Sequence, residues 1–291
     1  MKMNILFFRV LAVLLVLSAG LPIMAQGVIV YKKNGTFEKF PYEQIDSIVT
    51  YNYDATDPTE DGAFTVNGVA FKMILVEGGT FYMGSDSGDI NEKPVHSVTL
   101  SDYMIGETEV TQELWQAVMG GNPSYFKGNM QRPVEKVSWN DCLDFIEKLN
   151  ELTGEHFSLP TEAQWEYAAR GGRYYEGYVY SGSNTIGNVA WYHENSSSST
   201  HPVKAKQANE LGLYDMSGNV WEWCQDWYGD YTSTSVTDPT GASSGSYRVL
   251  RGGGWYGDPT YCRVSDRYYL TPERKDGHYG LRLALSSSYK K

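Results

Sequence analysis

Basic residues are scarce: 24 Lys and Arg stand against 35 Asp and Glu in 291 residues, a net charge of −11. A polyanion would meet net repulsion, so a nonspecific nucleic-acid role is excluded. Histidine is scarcer still. His96, His156, His193, His201 and His278 form no i, i+4 pair or other metal-ligand spacing. His96 reads as a strand start and His201, before Pro202, as a turn residue. No Gly-x-Ser-x-Gly elbow occurs, and Ser183 and Ser244 sit near glycines without a strand-turn-helix context. Gly252-Gly253-Gly254 lacks the Gly-Lys-Ser/Thr ending of a phosphate loop and reads as a tight turn packed beneath tryptophans. Three cysteines are too few for a disulfide scaffold. Long apolar runs are confined to the N-terminus.

That N-terminus reads as a signal peptide over residues 1–25. Lys2 and Arg9 precede the apolar run Val10–Leu17, Pro22 breaks it, and Ala25 supplies the small residue at the cleavage point. The 16 residues from Val10 to Ala25 fall short of the roughly 20 that span hydrocarbon as a helix. No cysteine near the cleavage point supports a lipid anchor. The expected product has no stable membrane span. It is exported to the periplasm, cell surface or medium, and is more acidic for the loss of two positive charges.

What is abundant is aromatic and glycine: 23 Tyr, 10 Phe, 8 Trp and 30 Gly, the composition of a packed core laced with turns. Residues 26–53 form a small β unit, with Val28–Tyr31 and Phe37–Phe40 flanking an Asn34-Gly35 hairpin turn, and residues 42–53 adding a helical turn or third strand. The acidic stretch 54–62 is a linker. Residues 63–287 are the main domain. Phe71–Val76 and Thr80–Gly84 read as strands around Gly78-Gly79. Helices begin near Thr111, at Ser138, and at Thr161, where Gln164 completes a capping box. After residue 171 little regular periodicity remains. Over a hundred such residues need buried tryptophans, cross-links or ions to hold them.

In order along the chain, Phe81–Gly84, Glu109-Val110-Thr111, Pro133–Asp141, Leu159–Gly172, Gly212–Trp223, Arg251-Gly252-Gly253, Cys262-Arg263 and Gly280–Ala284 resemble the formylglycine-generating enzyme, or sulfatase-modifying factor, family. The resemblance spans about residues 66–286. It implies an α+β fold, the formylglycine-generating-enzyme variant of the C-type-lectin fold, low in regular secondary structure.

Family members that convert a substrate cysteine to formylglycine are similar in placing two cysteines five positions apart after the Gly-Gly turn. Two soft thiolates suit copper(I). Here the second position is Cys262, the weak catalytic candidate. Gly257 stands at the first, and Gly254 replaces the family's serine. One thiolate cannot supply that geometry, so copper is not expected. A sulfoxide-forming iron branch needs histidines that this spacing does not provide. Calcium is the expected cofactor. Asp215-x-x-Gly218-x-Val220-x-Glu222 sets two carboxylates around a turning backbone, and hard oxygen donors suit that ion. The resemblance assigns calcium to Asp215, Gly218, Val220 and Glu222. It maps a second site to Asn188 and Val189, with Asn195 and Ser197 as poorer matches.

Two functions follow. One is a non-copper binding member whose ligand, a protein or glycan, meets Tyr256, Asp258, Tyr268, Tyr269 and Tyr279 on one exposed face, since tyrosine gives broad amphipathic contact at low entropy cost. In some relatives this C-terminal segment is a variable ligand-binding surface. The alternative is a formylglycine-generating oxidase acting on a sulfatase cysteine. Export favours a Cys224–Cys262 disulfide with Cys142 free, other pairings and three free thiols remaining open.

Overall fold

The computed structural model describes residues 62–286 and two strands, β1 (Gly27–Tyr31) and β2 (Phe37–Pro41). The chain divides into two units, residues 1–54 and 55–291. In the first, β1 and β2 pair antiparallel with Val28 opposite Phe40, the register of a hairpin. The signal peptide 1–25, the Asn34-Gly35 turn, the 42–53 continuation and the linker to Asp61 lie outside the described residues.

The second unit opens with β3 (Ala63–Val66), β4 (Val69–Val76) and β5 (Gly79–Met83), then β6 (His96–Leu100) and β7 (Tyr103–Gly106). Three capped helices follow. In α1 (Gln112–Met119) the Thr111 hydroxyl accepts the Leu114 N–H at 3.1 Å. Capping boxes start α2 (Trp139–Thr153) with Ser138 and Asp141, and α3 (Glu162–Ala169) with Thr161 and Gln164. Each cap satisfies amides that the first turn leaves orphaned. Left-handed Gly120 and Gly154 end α1 and α2, positions where only glycine is free of Cβ strain. Between α2 and α3 lies the short β8 (Phe157–Ser158).

The remainder is α4 (Ile186–Val189) and the strands β9 (Trp221–Trp227), β10 (Val236–Thr237), β11 (Arg248–Arg251), β12 (Tyr268–Leu270), β13 (Tyr279–Gly280) and β14 (Ala284–Ser286). They build three sheets in the orders β3-β4-β7-β14-β8, β10-β6-β5 and β12-β11-β9-β13. The last strand, β14, lies between β7 and β8, which closes the end of the domain onto its beginning.

Strand β9 is the wall between two apolar cores. Trp221 and Trp223 face a cluster with Trp115, Phe145 and Leu281, while Cys224 faces Trp165, Ile105 and Val249 on the other side. Alternation along Trp221–Trp227 does this, because successive side chains leave a strand on opposite faces. The glycine run is the tight turn expected. Gly252 has φ +95° and a Cβ there would fall 3.1 Å from the Trp165 ring, while one on Gly254 would fall 3.4 Å from Trp221.

Buried guanidinium–carboxylate pairs cross-link the irregular half. Arg251 pairs with Glu166, Arg267 holds Glu162 through two bonds of 2.6 and 2.8 Å, and Arg282 holds Glu222 at 2.7 Å. Burial would lift the Glu166 carboxyl, but Arg170 and Arg251 outweigh it and hold it below its usual range. The Cys224–Cys262 disulfide is not formed, which corrects that expectation. All three thiols are free and buried, each in a different apolar cluster: Cys142 beside Phe145, Cys224 near Trp165, and Cys262 with Ala190 and Tyr192.

Candidate functional site

The C-terminal sheet carries a strip of rings. Tyr261 lies 6.2 Å from Trp221, Trp221 5.2 Å from Tyr268, and Tyr269 stands 4.1 Å from Tyr228 and 5.2 Å from Tyr247. Edge strand β12 projects the two central rings, and Tyr268 and Tyr269 are each 40% exposed. At one flank the Arg248 guanidinium sits between the rings of Trp139 (3.7 Å) and Trp227 (3.4 Å), which fixes its plane. Asp258 is exposed at the start of the 3-10 turn Pro259–Cys262.

Tyr256, 59% exposed, belongs to a neighbouring group of rings. It meets His193 at 5.6 Å and His278 at 5.9 Å. His278 is stacked flat on Trp255 and takes Asp276 Oδ1 on its Nδ1 at 2.7 Å. Tyr279 is the exception among the expected surface tyrosines. It is 9% exposed, in β13, with its ring 6.0 Å from Trp223. The reason is alternation: Tyr279, Leu281 and Leu283 all turn inward to one core, while Arg282 between them faces Glu222.

Cys262 lies behind this surface, fully buried. Burial first, and then the Asp266 charge, push its thiol up to about 12, so it stays neutral and is a poor nucleophile. Gly253 passes so close that a Cβ would fall 2.8 Å from its Sγ. At Gly257 the amide is spent on the Gly254 carbonyl (2.9 Å) and the carbonyl on the His193 amide (3.1 Å). A single neutral thiol opposite a glycine does not fit a two-thiolate copper centre.

The positions expected to hold calcium lie in a buried cluster of Glu109, Asp215 and Glu222 around Arg282. Both Glu222 oxygens are already engaged. Oε2 accepts the Trp165 indole at 2.6 Å, and both oxygens accept Arg282 Nε at 3.0 Å. Asp215, left-handed at φ 57°, accepts the Lys204 amide at 2.9 Å. Glu222 therefore does not fit a calcium shell, because the guanidinium takes that role. Chelation by EDTA is expected to leave the melting temperature unmoved. A fall that calcium restores would mean that an ion takes Glu222 from Arg282. In the second set, Asn188 is exposed on α4 with its carbonyl on the Gln207 amide, and Val189 is buried. The Asn195 amide is committed to Tyr192 and Ala190, and Ser197 has φ 54°.

One acid cluster went unread in the sequence. Asp89, Glu92 and Asp266 converge, and Arg263 Nη2 stands among them at 3.8, 2.7 and 3.3 Å. The arginine after Cys262 is the only sequence signal for it. It supplies the positive charge that such a triad needs.

Residues 62–287 match the Sulfatase-modifying factor enzyme 1-like domain. Among curated relatives, Chaperone protein LppX of Paenibacillus barcinonensis is 36% identical over 248 residues, 68% of this chain and 83% of that one. A formylglycine-generating enzyme of Streptomyces coelicolor is 32% identical over 284 residues, 73% of this chain and 88% of its own. Among solved structures, Treponema denticola variable protein 1 superposes with a TM-score of 0.73 at 39% identity, covering 77% of this chain and 98% of that one. The mixed helix-and-strand fold with small curled sheets is thus the C-type-lectin-like fold of these proteins. The chain belongs to the sulfatase-modifying factor, or formylglycine-generating enzyme, family.

Proposed function

We propose that this chain is an exported, non-copper member of the family that binds a protein or glycan through the aromatic face of its C-terminal sheet. The observation that carries this reading is the group of exposed rings Tyr261, Tyr268 and Tyr269, the first two packed against the buried Trp221. Rigid aromatic anchors on a fixed scaffold suit recognition. The likeness to a variable protein of Treponema denticola supports it. The test screens the purified chain against immobilised glycans and proteins. Tyr268→Ala/Tyr269→Ala is expected to lose the binding that wild type shows, with stability changed by only about 0.5 kcal/mol per exposed site. A large drop in melting temperature would make the rings core and defeat the reading.

Formylglycine generation is the second reading, favoured by the Streptomyces coelicolor relative. Copper-loaded protein incubated with a Cys-x-Pro-x-Arg peptide is expected to leave the peptide mass unchanged, since Gly257 offers no sulfur and the Cys262 thiol is neutral and buried. A thiol-to-aldehyde mass change would overturn the assignment.

A further inference from the structure

Strand β5 ends its sheet with an open edge on elements remote in sequence from the aromatic strip. The direction of its main chain follows from its neighbours. The Thr99 carbonyl accepts the Asp238 N–H at 2.9 Å, so the Thr99 main chain faces β10. Its partner Thr80 therefore belongs to a non-hydrogen-bonded pair, and the two hydroxyls meet at 2.8 Å, as side chains do in such close pairs. Alternation then turns the N–H and C=O of Thr80 and of Tyr82 away from the sheet. Among the described residues none hydrogen-bonds to these four groups.

The ends of this edge are closed. The Gly78 amide donates to Asp102 Oδ1 at 2.7 Å, and the Gly84 amide to Glu166 Oε1 at 2.9 Å. Arg170 donates to the Gly84 carbonyl at 2.9 Å. Between them, Thr80-Phe81-Tyr82-Met83 has no charge, no proline and no bulge, the devices by which an edge refuses a foreign strand. Tyr82 is 73% exposed.

A cleft of about 900 Å³ runs beside it, lined also by Tyr175, Tyr178 and Val179. That volume is of the size that seats a specific ligand. Its charged lining residues are Arg170, Arg173, Arg263 and Asp86. Each guanidinium is also held by a carboxylate of the fold: the buried Glu166 for Arg170, the half-exposed Glu77 for Arg173 and the buried Glu92 for Arg263, which leaves their remaining N–H donors for a ligand.

We propose that this cleft takes an extended peptide segment of a partner protein as a fourth strand beside β5, paired through Thr80 and Tyr82. The segment carries Asp or Glu, lacks Lys and Arg, and alternates apolar residues that fit a cleft lined by Phe81, Tyr175 and Tyr178. Main-chain bonds supply affinity and the cleft supplies selectivity, the physics of strand addition. The site is independent of the aromatic face, so either can fail alone.

A random dodecamer phage library is panned on the full chain to test this. Recovered peptides are expected to alternate apolar residues and to lack Lys and Arg. They should slow hydrogen exchange at the Thr80 and Tyr82 amides. Tyr82→Lys, an exposed change, is expected to weaken them at least tenfold at an unchanged melting temperature. N-methylation of the bound peptide at its β5-facing amides should abolish binding to wild type, a readout that needs no protein variant. Recovery of no peptide, equal binding to Tyr82→Lys, tolerance of N-methylation, or protection of other amides only would each overturn the proposal.

Discussion

Arg282→Met is expected to destabilise the domain by about 3–5 kcal/mol, the cost of leaving one member of a buried ion pair alone. The guanidinium is fully buried and gives five hydrogen bonds: three to Glu222, one to the Gly106 carbonyl at 2.8 Å and one to the Tyr214 carbonyl at 2.7 Å. It therefore ties β7, the 214 loop and β9 to the strand-like run before β14. Without it, Glu222 keeps only the Trp165 indole and faces Glu109 and Asp215 across a buried space. Burial first, then the charges of Asp215 and Glu222, already push the Glu109 carboxyl well above its usual range. Adding Glu222→Leu to Arg282→Met removes the orphaned charge and is expected to recover part of the loss, since apolar replacement of a whole pair is often tolerated. Urea unfolding of the three variants measures this. A single-mutant loss below about 1 kcal/mol would show that the pair does not hold the irregular half together.

Stability is also expected to fall as pH rises from about 5 to 7. Burial lifts Asp215 to about 6 and Asp226 and Asp266 to about 7. In Asp226 the Glu162 charge adds to burial, and Asp266 Oδ2 has no hydrogen-bond partner. In the unfolded chain these groups titrate near 3.8. Between that value and 6 to 7 the folded state binds more protons, so raising pH favours unfolding. Each unit in that window costs about 1.4 kcal/mol per group. The opposite slope belongs to Glu92, Glu162 and Glu166, which arginines hold below their usual value. Their stabilisation is lost as pH falls through the carboxylate range. The melting temperature should therefore peak on the acid side of neutrality. Asp226→Asn should flatten the alkaline limb. A flat profile from pH 5 to 7 in wild type would refute the account.

Local signals were legible in the sequence because their physics is local. Thr111, Ser138 and Thr161 announced three helices through capping chemistry within four residues of each start. The glycine turn was legible for the same reason, and the ordered motifs carried the family. What was missed is long-range. Nothing near Arg251 or Arg282 names Glu166 or Glu222 as partners, 85 and 60 residues away. The irregular half was expected to need cross-links. It has them, but as guanidinium pairs rather than sulfur. Tyr279 lies inward for a reason the sequence carries: the period-two run Tyr279, Leu281, Leu283 marks one buried face, against the polar residues around it. The strip itself was partly legible, as Tyr268 and Tyr269. Its continuation through Tyr228 and Tyr247 depends on sheet register, which one sequence does not fix.

The three cysteines, each sealed in its own apolar cluster, make the domain indifferent to the redox state of its surroundings. No oxidant is needed to complete the fold, and no reductant has a bond to break. They also make it self-reporting. An alkylating reagent reaches Cys142, Cys224 or Cys262 only when the surrounding cluster opens, so the labelling rate at each thiol measures how often that part of the core breathes. One chain thus carries three clocks: one on the buried side of α2, one on the wall strand β9, and one packed with Ala190 and Tyr192.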